Sequence, residues 1–204
     1  MPTLYFIRHT ESEANVLHLL GGQSDFPLSD KGKRDADLLA GLFAARHTAD
    51  HIISSPLARA QQTAEPFAKR LGLPILLNPA LMEQNMGIFS GWSYARAEAD
   101  PRYELDKTKR WHWSPPGGES YAAMADRIRP FFSALGAFPQ GAKILCFTHA
   151  VTLRILVGFL ENTLPVYPVP LVRNGELLVV DFQGLGKVHT LKYEYDGDQL
   201  EGRE

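Results

Sequence analysis

The sequence is short of the features that would commit it to a specialised class. One cysteine, Cys146, stands among 204 residues, so no intrachain disulfide can form and a reducing, cytoplasmic setting is the expectation. Its simplest role is a small core residue on a buried strand. No apolar run is long enough to span a membrane, and the reactive motif that begins at residue 8 leaves no room ahead of it for a cleavable leader. Charge of one sign is not in excess. The 21 Lys and Arg against 23 Asp and Glu leave a net of -2, which removes the electrostatic case for nucleic acid or an anionic membrane as partner. Any anionic ligand must therefore be attracted by a local cluster. Internal repeats and low-complexity segments are also missing. What is left, 45% hydrophobic and 22% charged, suits one ordinary globular domain over residues 1–204.

What is present is a grammar used twice. Thr3 to Ile7 is an apolar, partly β-branched and aromatic run that reads as a buried strand and delivers Arg8 and His9. Lys143 to Thr148 is a second such run and delivers His149. Ligands of open α/β sheets sit just beyond the carboxyl ends of strands. Neighbouring strands would thus bring two imidazoles and a guanidinium over one crevice.

The other elements follow from period and caps. Ser29 or Asp30 caps a helix running to about Arg46, and Asp50 to Ser55 and Leu73 to Leu77 are short strands. Pro56 opens a helix striped with Leu57, Ala60, Ala64, Phe67, Ala68 and Leu71 and ended by Gly72; Pro66 inside it predicts a kink or break. Glu119 to Phe138 is helical with a second kink at Pro130, Val151 to Leu160 is an apolar helix, and Glu11 to Pro27 reads as a loop. Leu177 to Phe182 and Val188 to Tyr195 form a closing hairpin turned at Gly184-Leu185-Gly186, and the tail from Asp196 should fray. The alternation predicts an α/β three-layer sandwich: a mostly parallel sheet with one antiparallel strand and helices on both faces. Residues 78–118, irregular and studded with aromatics, read as a small helical or irregular lid-like insertion.

Arg8, His9, Arg59 and His149 carry the chemistry. Arg59 follows Ser54-Ser55-Pro56-Leu57, in the first turn after another strand end. Two guanidiniums grip the oxygens of a phosphoryl group as planar, permanent donors. Helix N-termini after that strand and after His149 would add backbone N–H groups. An imidazole attacks phosphorus with one nitrogen while the other donates to a fixing acceptor, and nearby arginines disfavour its protonated form. Glu83, at the start of the insertion among apolar neighbours, is the candidate proton donor for the departing alkoxide, to be distinguished from Glu11, Glu13 and Glu119.

Arg8-His9-Thr10-Glu11, Asn15, Leu28-Ser29-Asp30-Lys31-Gly32, the run from Ser54 to Ala64, Gly117-Gly118-Glu119-Ser120 and Thr148-His149 resemble, in order, the histidine phosphatase (phosphoglycerate mutase-like) superfamily. The resemblance implies a phosphohistidine on His9 and a phosphate pocket of Arg8, Arg59 and His149. It further implies assistance from Asn15, proton donation by Glu83, and chemistry with no metal and no cofactor. Gln23 and the backbone of Ala150 complete the candidate substrate-binding set. Thr10 stands where the family most often has glycine. Ala150-Val151 replaces the commoner glycine pair, which keeps a backbone donor but narrows the pocket.

The short chain resembles the phosphatase branch and points to a small phosphorylated metabolite. Phosphoglycerate mutase activity, a non-catalytic phospho-ligand sensor and a metal hydrolase built on the two histidines and Glu83 are the alternatives. Ser55 has no sequence-local base and reads as a shaper of its turn. Phe89 and Trp92 read as a satellite core; Trp111 and Trp113 are open between core and substrate. Arg102, Lys109 and Arg110 either hold a second anionic group or form a solvated face. A stretch near Leu164 to Val172, rich in Pro165, Pro168 and Pro170, is a candidate homodimer interface.

Overall fold

Leu4 and Phe6 belong to one buried cluster and Tyr5 and Ile7 to another, so the first strand is covered on both faces. The computed structural model describes residues 2–166 and 172–194. That first strand, β1 (Thr3–Arg8), lies inside a six-stranded sheet with β2 (His51–Ser54), β3 (Ile75–Leu77), β4 (Lys143–Thr148), β5 (Leu177–Asp181) and β6 (Thr190–Glu194) in the order β3-β2-β4-β1-β5-β6. The β1, β2, β3 and β4 pairings are parallel; β5 runs antiparallel to β1 and to β6, so it alone opposes the rest. Register sets the site: β1 and β4 pair from Thr3 opposite Lys143 to Arg8 opposite Thr148, so both strands end side by side.

The described residues form six α-helices, α1 (Glu13–Val16), α2 (Asp30–Arg46), α3 (Ala58–Leu71), α4 (Tyr94–Glu98), α5 (Tyr121–Ala134) and α6 (Ala150–Leu160), of which α2, α3, α5 and α6 cover the sheet. On one face Leu39, Phe43, Ala60, Ala64 and Phe67 of α2 and α3 pack on Tyr5, Ile7, Ile52, Leu145 and Phe147. On the other, Met124, Ile128, Phe131, Leu153 and Leu156 of α5 and α6 pack on Leu4, Phe6, Ile144 and Cys146. The result is the predicted three-layer sandwich. Among the described residues no helix is long and apolar enough to cross a membrane.

Several local expectations need correction. The stretch read as a loop contains α1, a single turn held by a reciprocal cap: Ser12 Oγ accepts the N–H of Asn15, and Asn15 Oδ1 accepts the N–H of Ser12. One turn shows no period, which hid it. Neither proline breaks its helix: α3 continues through Pro66 and α5 through Pro130, with buried neighbours Ala64 and Phe67 in the first and Ile128 and Phe131 in the second. Tertiary packing outweighs the lost hydrogen bond there. Strand β3 is only three residues long, with Leu76 and Leu77 exposed at the sheet edge. Residues 167–171 of the candidate interface and the polar tail from Asp196 lie outside the described residues.

Residues 78–118 hold short 3-10 turns and α4 around a separate aromatic cluster. Phe89 is fully buried among Leu20, Met86, Ala97 and Tyr103, with its ring 5.4 Å from Trp92 and 5.3 Å from Tyr103. Trp113 packs on that cluster and Trp111 on the α5–α6 side of the core, so both act as packing residues.

Gly32, in the first turn of α2, joins this frame to the strand end. A Cβ there would collide with the backbone carbonyl of Glu11, and the Gly32 carbonyl accepts the hydroxyl of Thr10 at 2.8 Å. Gly32→Ala should therefore destabilise the protein by about 1–3 kcal/mol, the usual range for forced overpacking. Urea unfolding checks this, and an unchanged midpoint would contradict the close approach.

Candidate functional site

Three strand ends and one loop build the site. Strand β1 ends at Arg8 and passes directly to His9; β4 ends at Thr148, and His149 occupies the position capping α6. Strand β2 ends at Ser54, and Ser55-Pro56-Leu57 turns into α3, whose first turn carries Arg59. Thr148 Oγ1 donates to the carbonyl of Leu81 at 2.8 Å, tying the end of β4 to the segment that bears Glu83. The rings of His9 and His149 lie 5.1 Å apart at 56°, as expected if the two strands are neighbours.

The tautomer of His9 follows from its partner. Nδ1 lies 2.7 Å from the carbonyl of Thr10, which can only accept, so Nδ1 carries the proton and Nε2 keeps its lone pair. Asn174 secures that carbonyl: its Nδ2 donates to the carbonyls of His9 at 2.8 Å and Thr10 at 3.2 Å. Thr10 is anchored from the other side, with its N–H on Thr63 Oγ1 and its hydroxyl on the carbonyl of Gly32. The threonine standing where glycine is commoner thus helps hold the loop behind the ring.

Arg59 is buried and Arg8 partly buried, and both guanidiniums face backbone oxygens. Arg59 donates to the carbonyls of Gly22 at 2.7 Å and Ser24 at 2.9 Å, and Arg8 to that of Val172 at 2.6 Å. Arg8 Nε is buried with no protein partner among the described residues. Burial lowers the pKa of each arginine, and the carboxylate of Glu83 works against that shift in both. The imidazoles respond to the same setting. Burial first, then Arg59 and Arg8, pushes His9 well below the usual histidine range; burial, Arg59, His9 and Arg8 do the same to His149. Both rings are neutral at pH 7, with desolvation a larger cause than the arginines.

Glu83 is held by backbone donors. Oε1 accepts the N–H of Gln84 at 2.9 Å and of Thr152 at 3.3 Å, and Oε2 accepts that of Val151 at 3.2 Å. Two first-turn donors of α6, expected for a phosphate, are therefore taken by this carboxylate. On α3 the N–H of Ala58 goes to Asp25 Oδ1 at 2.6 Å. The other acids separate cleanly: Glu11 Oε1 accepts the hydroxyl of Ser29, and Glu119 pairs with Arg127, whose guanidinium also donates to the carbonyls of Pro79, Ala80 and Met82. Glu13 sits in the first turn of α1.

A cleft of about 350 Å³ opens over these groups, lined by Arg8, His9, Asn15, Arg59, Glu83 and Ala150 and walled by Tyr94, Glu98, Tyr103, Lys107, Arg110, Tyr121 and Arg154. His149 is fully buried beside His9. Gln23, like His149, is outside the lining, and its amide donates to the carbonyl of Glu83 at 3.0 Å and to Glu119 at 3.3 Å. It therefore braces the Glu83 loop. The three cations of the insertion part company. Arg102 pairs with Asp100 and Lys109 with Asp106 at the surface, while Arg110 joins the cleft wall.

Sequence reading missed Asn174, Tyr121 and Arg154. Asn174-Gly175 is a turn-forming pair, and Gly175 has φ 76°, so a signal existed. Arg154 stands alone as a charge in an otherwise apolar helix, another signal. Ser55 does more than shape its turn, since its Oγ lies 2.8 Å from His149 Nε2.

With this geometry in place, similarity to known proteins can be stated. A family model of the histidine phosphatase superfamily (branch 1) matches residues 4–193. The chain is 33% identical to "Probable phosphoglycerate mutase GpmB" of Photorhabdus laumondii, over 90% of this chain and 86% of that one. It is 32% identical to the 2,3-bisphosphoglycerate-dependent phosphoglycerate mutase of Cytophaga hutchinsonii, over 81% and 80%. Among solved structures, a mycobacterial glucosyl-3-phosphoglycerate phosphatase in complex with VO3 superposes with a TM-score of 0.82 at 27% identity, over 93% of this chain and 96% of that one.

The depressed histidines carry a stability signature. Between its folded pKa and the unfolded value near 6.5, each ring binds more protons unfolded than folded, so stability is full above about pH 6.5 and falls as pH drops below it. The loss should reach about 1.4 kcal/mol per pH unit for each ring. Urea unfolding between pH 7.5 and 5, above the ordinary carboxylate range, measures it. A flat profile would show that the rings are not held neutral.

Proposed function

The chain belongs to the histidine phosphatase superfamily, and from that premise we propose that it is a metal-independent phosphomonoesterase acting on a small phosphorylated metabolite through a phosphohistidine on His9. The observation that carries this reading is the fixed tautomer of His9, a neutral ring with a free Nε2 near two guanidiniums and a second imidazole. Fixed cations and a neutral base of this kind suit in-line attack at phosphorus.

In this mechanism Arg8, Arg59 and His149 hold the phosphoryl oxygens, with Asn15 and Ala150 lining the same cleft. Nε2 of His9 attacks phosphorus, the ester P–O bond breaks, and the departing alkoxide takes a proton from Glu83. Oε2 of Glu83 accepts a single backbone N–H, so it is the oxygen with room for that proton. Water then attacks the phosphohistidine while Glu83 takes its proton back. Inorganic phosphate leaves and the lone pair returns to Nε2. Residues 78–118 act as the lid-like wall that meets the organic part of the substrate, within one domain spanning the chain.

Phosphoglycerate mutase activity is the second reading, favoured by the names of the sequence relatives. The two readings differ in what collects the phosphoryl group, water or a second hydroxyl. Turnover of 3-phosphoglycerate with and without 2,3-bisphosphoglycerate separates them. Phosphate release is expected, and rapid 2-phosphoglycerate formation without it would replace the phosphatase reading.

His9→Ala should lower kcat/KM by about 10³-fold or more while leaving the circular dichroism spectrum unchanged. Glu83→Gln should cost about 10²-fold or more on alkyl phosphates and distinctly less on p-nitrophenyl phosphate, whose leaving group needs no proton. Equal losses on the two would remove Glu83 from the acid role. Chelator treatment should leave the rate unaltered; strong inhibition would point to a metal hydrolase.

A further inference from the structure

The proton on a neutral histidine has two possible seats, and the surroundings of Ser55 decide between them for His149. Both residues are fully buried. Ser55 Oγ has two neighbours among the described residues: it accepts the N–H of Leu57 at 3.3 Å, and it lies 2.8 Å from Nε2 of His149. The backbone N–H can only donate, so it occupies a lone pair of the hydroxyl. The hydroxyl proton then has one acceptor within reach, Nε2. Were Nε2 itself protonated, the oxygen would accept twice, its own proton would be stranded and the Nδ1 lone pair would go unmet as well. A proton on Nδ1 leaves that one N–H alone without a partner among the described residues. On the other side of the ring, Nδ1 is buried with no protein partner among the described residues.

We propose that Ser55 is a positioning residue: its hydroxyl donates to Nε2 of His149, which seats the imidazole proton on Nδ1 and leaves Nδ1–H as a donor for a phosphoryl oxygen. The link to phosphate rests on the function proposed above, whereas the proton assignment stands on hydrogen-bond geometry alone. The opposite tautomer would present a lone pair to an anionic oxygen, and lone pair against lone pair is repulsive. A neutral ring becomes an anion ligand only when its proton is on the correct nitrogen. His9 and His149 are thereby set by different partners. A backbone carbonyl on Nδ1 frees Nε2 of the first for attack, and a hydroxyl on Nε2 makes Nδ1 of the second a donor. Two adjacent imidazoles of identical chemistry acquire opposite roles from the neighbours on their far sides.

The test is nitrogen-15 NMR of histidine-labelled full-length protein at pH 7.5, with His149 assigned by comparison with His149→Gln. In the wild type the His149 resonance of an unprotonated nitrogen should belong to Nε2 and that of a protonated one to Nδ1. Added inorganic phosphate should shift the Nδ1–H signal. Finding the proton on Nε2 overturns the proposal whether or not the protein hydrolyses anything, so this failure is separate from failure of the phosphatase reading. In Ser55→Ala, the proton should redistribute toward Nε2 and phosphate affinity should fall about 10- to 100-fold, the loss of one hydrogen bond to a charged group. An unchanged tautomer with unchanged affinity in that variant would also overturn it. If Ser55→Ala does not fold, the wild-type assignment decides alone.

Discussion

Two guanidiniums and two imidazoles are confined at the ends of adjacent parallel strands, and the rest of the molecule is arranged to make that tolerable. Unpaired charges in a dry interior are costly unless hydrogen bonds replace the lost water. Here the replacements are backbone carbonyls: Gly22 and Ser24 for Arg59, Val172 for Arg8. Carboxylate partners would cancel the positive potential that an anion needs. Carbonyl dipoles take up some of the N–H groups and leave the net charge in place. The loop after α1 and the segment before β5 are thus shaped by the need to aim oxygens inward. The same unneutralised charge, together with burial, keeps both imidazoles in the neutral form that a nucleophile requires.

Position and protonation are set by separate parts of the fold. The β1–β4 register brings Arg8 level with Thr148, which alone suffices to make His9 and His149 neighbours. Nothing in that register says which nitrogen of either ring holds a proton. Those choices belong to Thr10, Asn174 and Ser55, whose partners come from the turns after β1 and β2 and from the segment before β5. The sheet supplies convergence, and the connecting turns supply chemistry. A one-residue slip between β1 and β4 would reverse the faces of Leu4, Phe6, Ile144 and Cys146 against their neighbours, so the core itself guards the site.

Much of this was legible because central strands of a mostly parallel sheet are buried on both faces and read as continuous apolar runs ending in polar residues. Thr3 to Arg8 and Lys143 to Thr148 are such runs, and the Ser29 cap and the Gly72 terminus of α3 are equally local signals. What escaped depends on distant partners. Gln23 carries its amide to residues 60 and 96 positions away, and Asn174 reaches back more than 160. No window of sequence contains both ends of such a bond. The insertion was opaque for another reason. Its 3-10 turns and five-residue α4 are too short to show a period, and Phe89, Trp92, Tyr103 and Trp113 are ordered by edge-to-face contact with one another.

The Glu83 contacts add a constraint that composition and motif do not express. Its carboxylate closes the N-terminus of α6, the helix whose capping position is His149, by accepting the N–H groups of Val151 and Thr152. Thr152 also donates its hydroxyl to the carbonyl of Met82, one residue earlier. The candidate proton donor and the candidate phosphate ligand are therefore joined through one helical turn. An Oε2 that keeps its bond to Val151 while exchanging a proton with a leaving group cannot travel far, and it need not. In the proposed mechanism the organic part of the substrate lies toward this carboxyl, in a cleft that Tyr94, Tyr103 and Arg110 also line. On that proposal, selectivity among phosphomonoesters belongs to the insertion wall and phosphate capture to the strand ends. The insertion and the sheet are joined at several places: through Glu83 and its brace of Gln23, Glu119 and Arg127, through Thr148 on the carbonyl of Leu81, and through Trp111 packed on the core. The wall is thus held in a fixed relation to the strand ends.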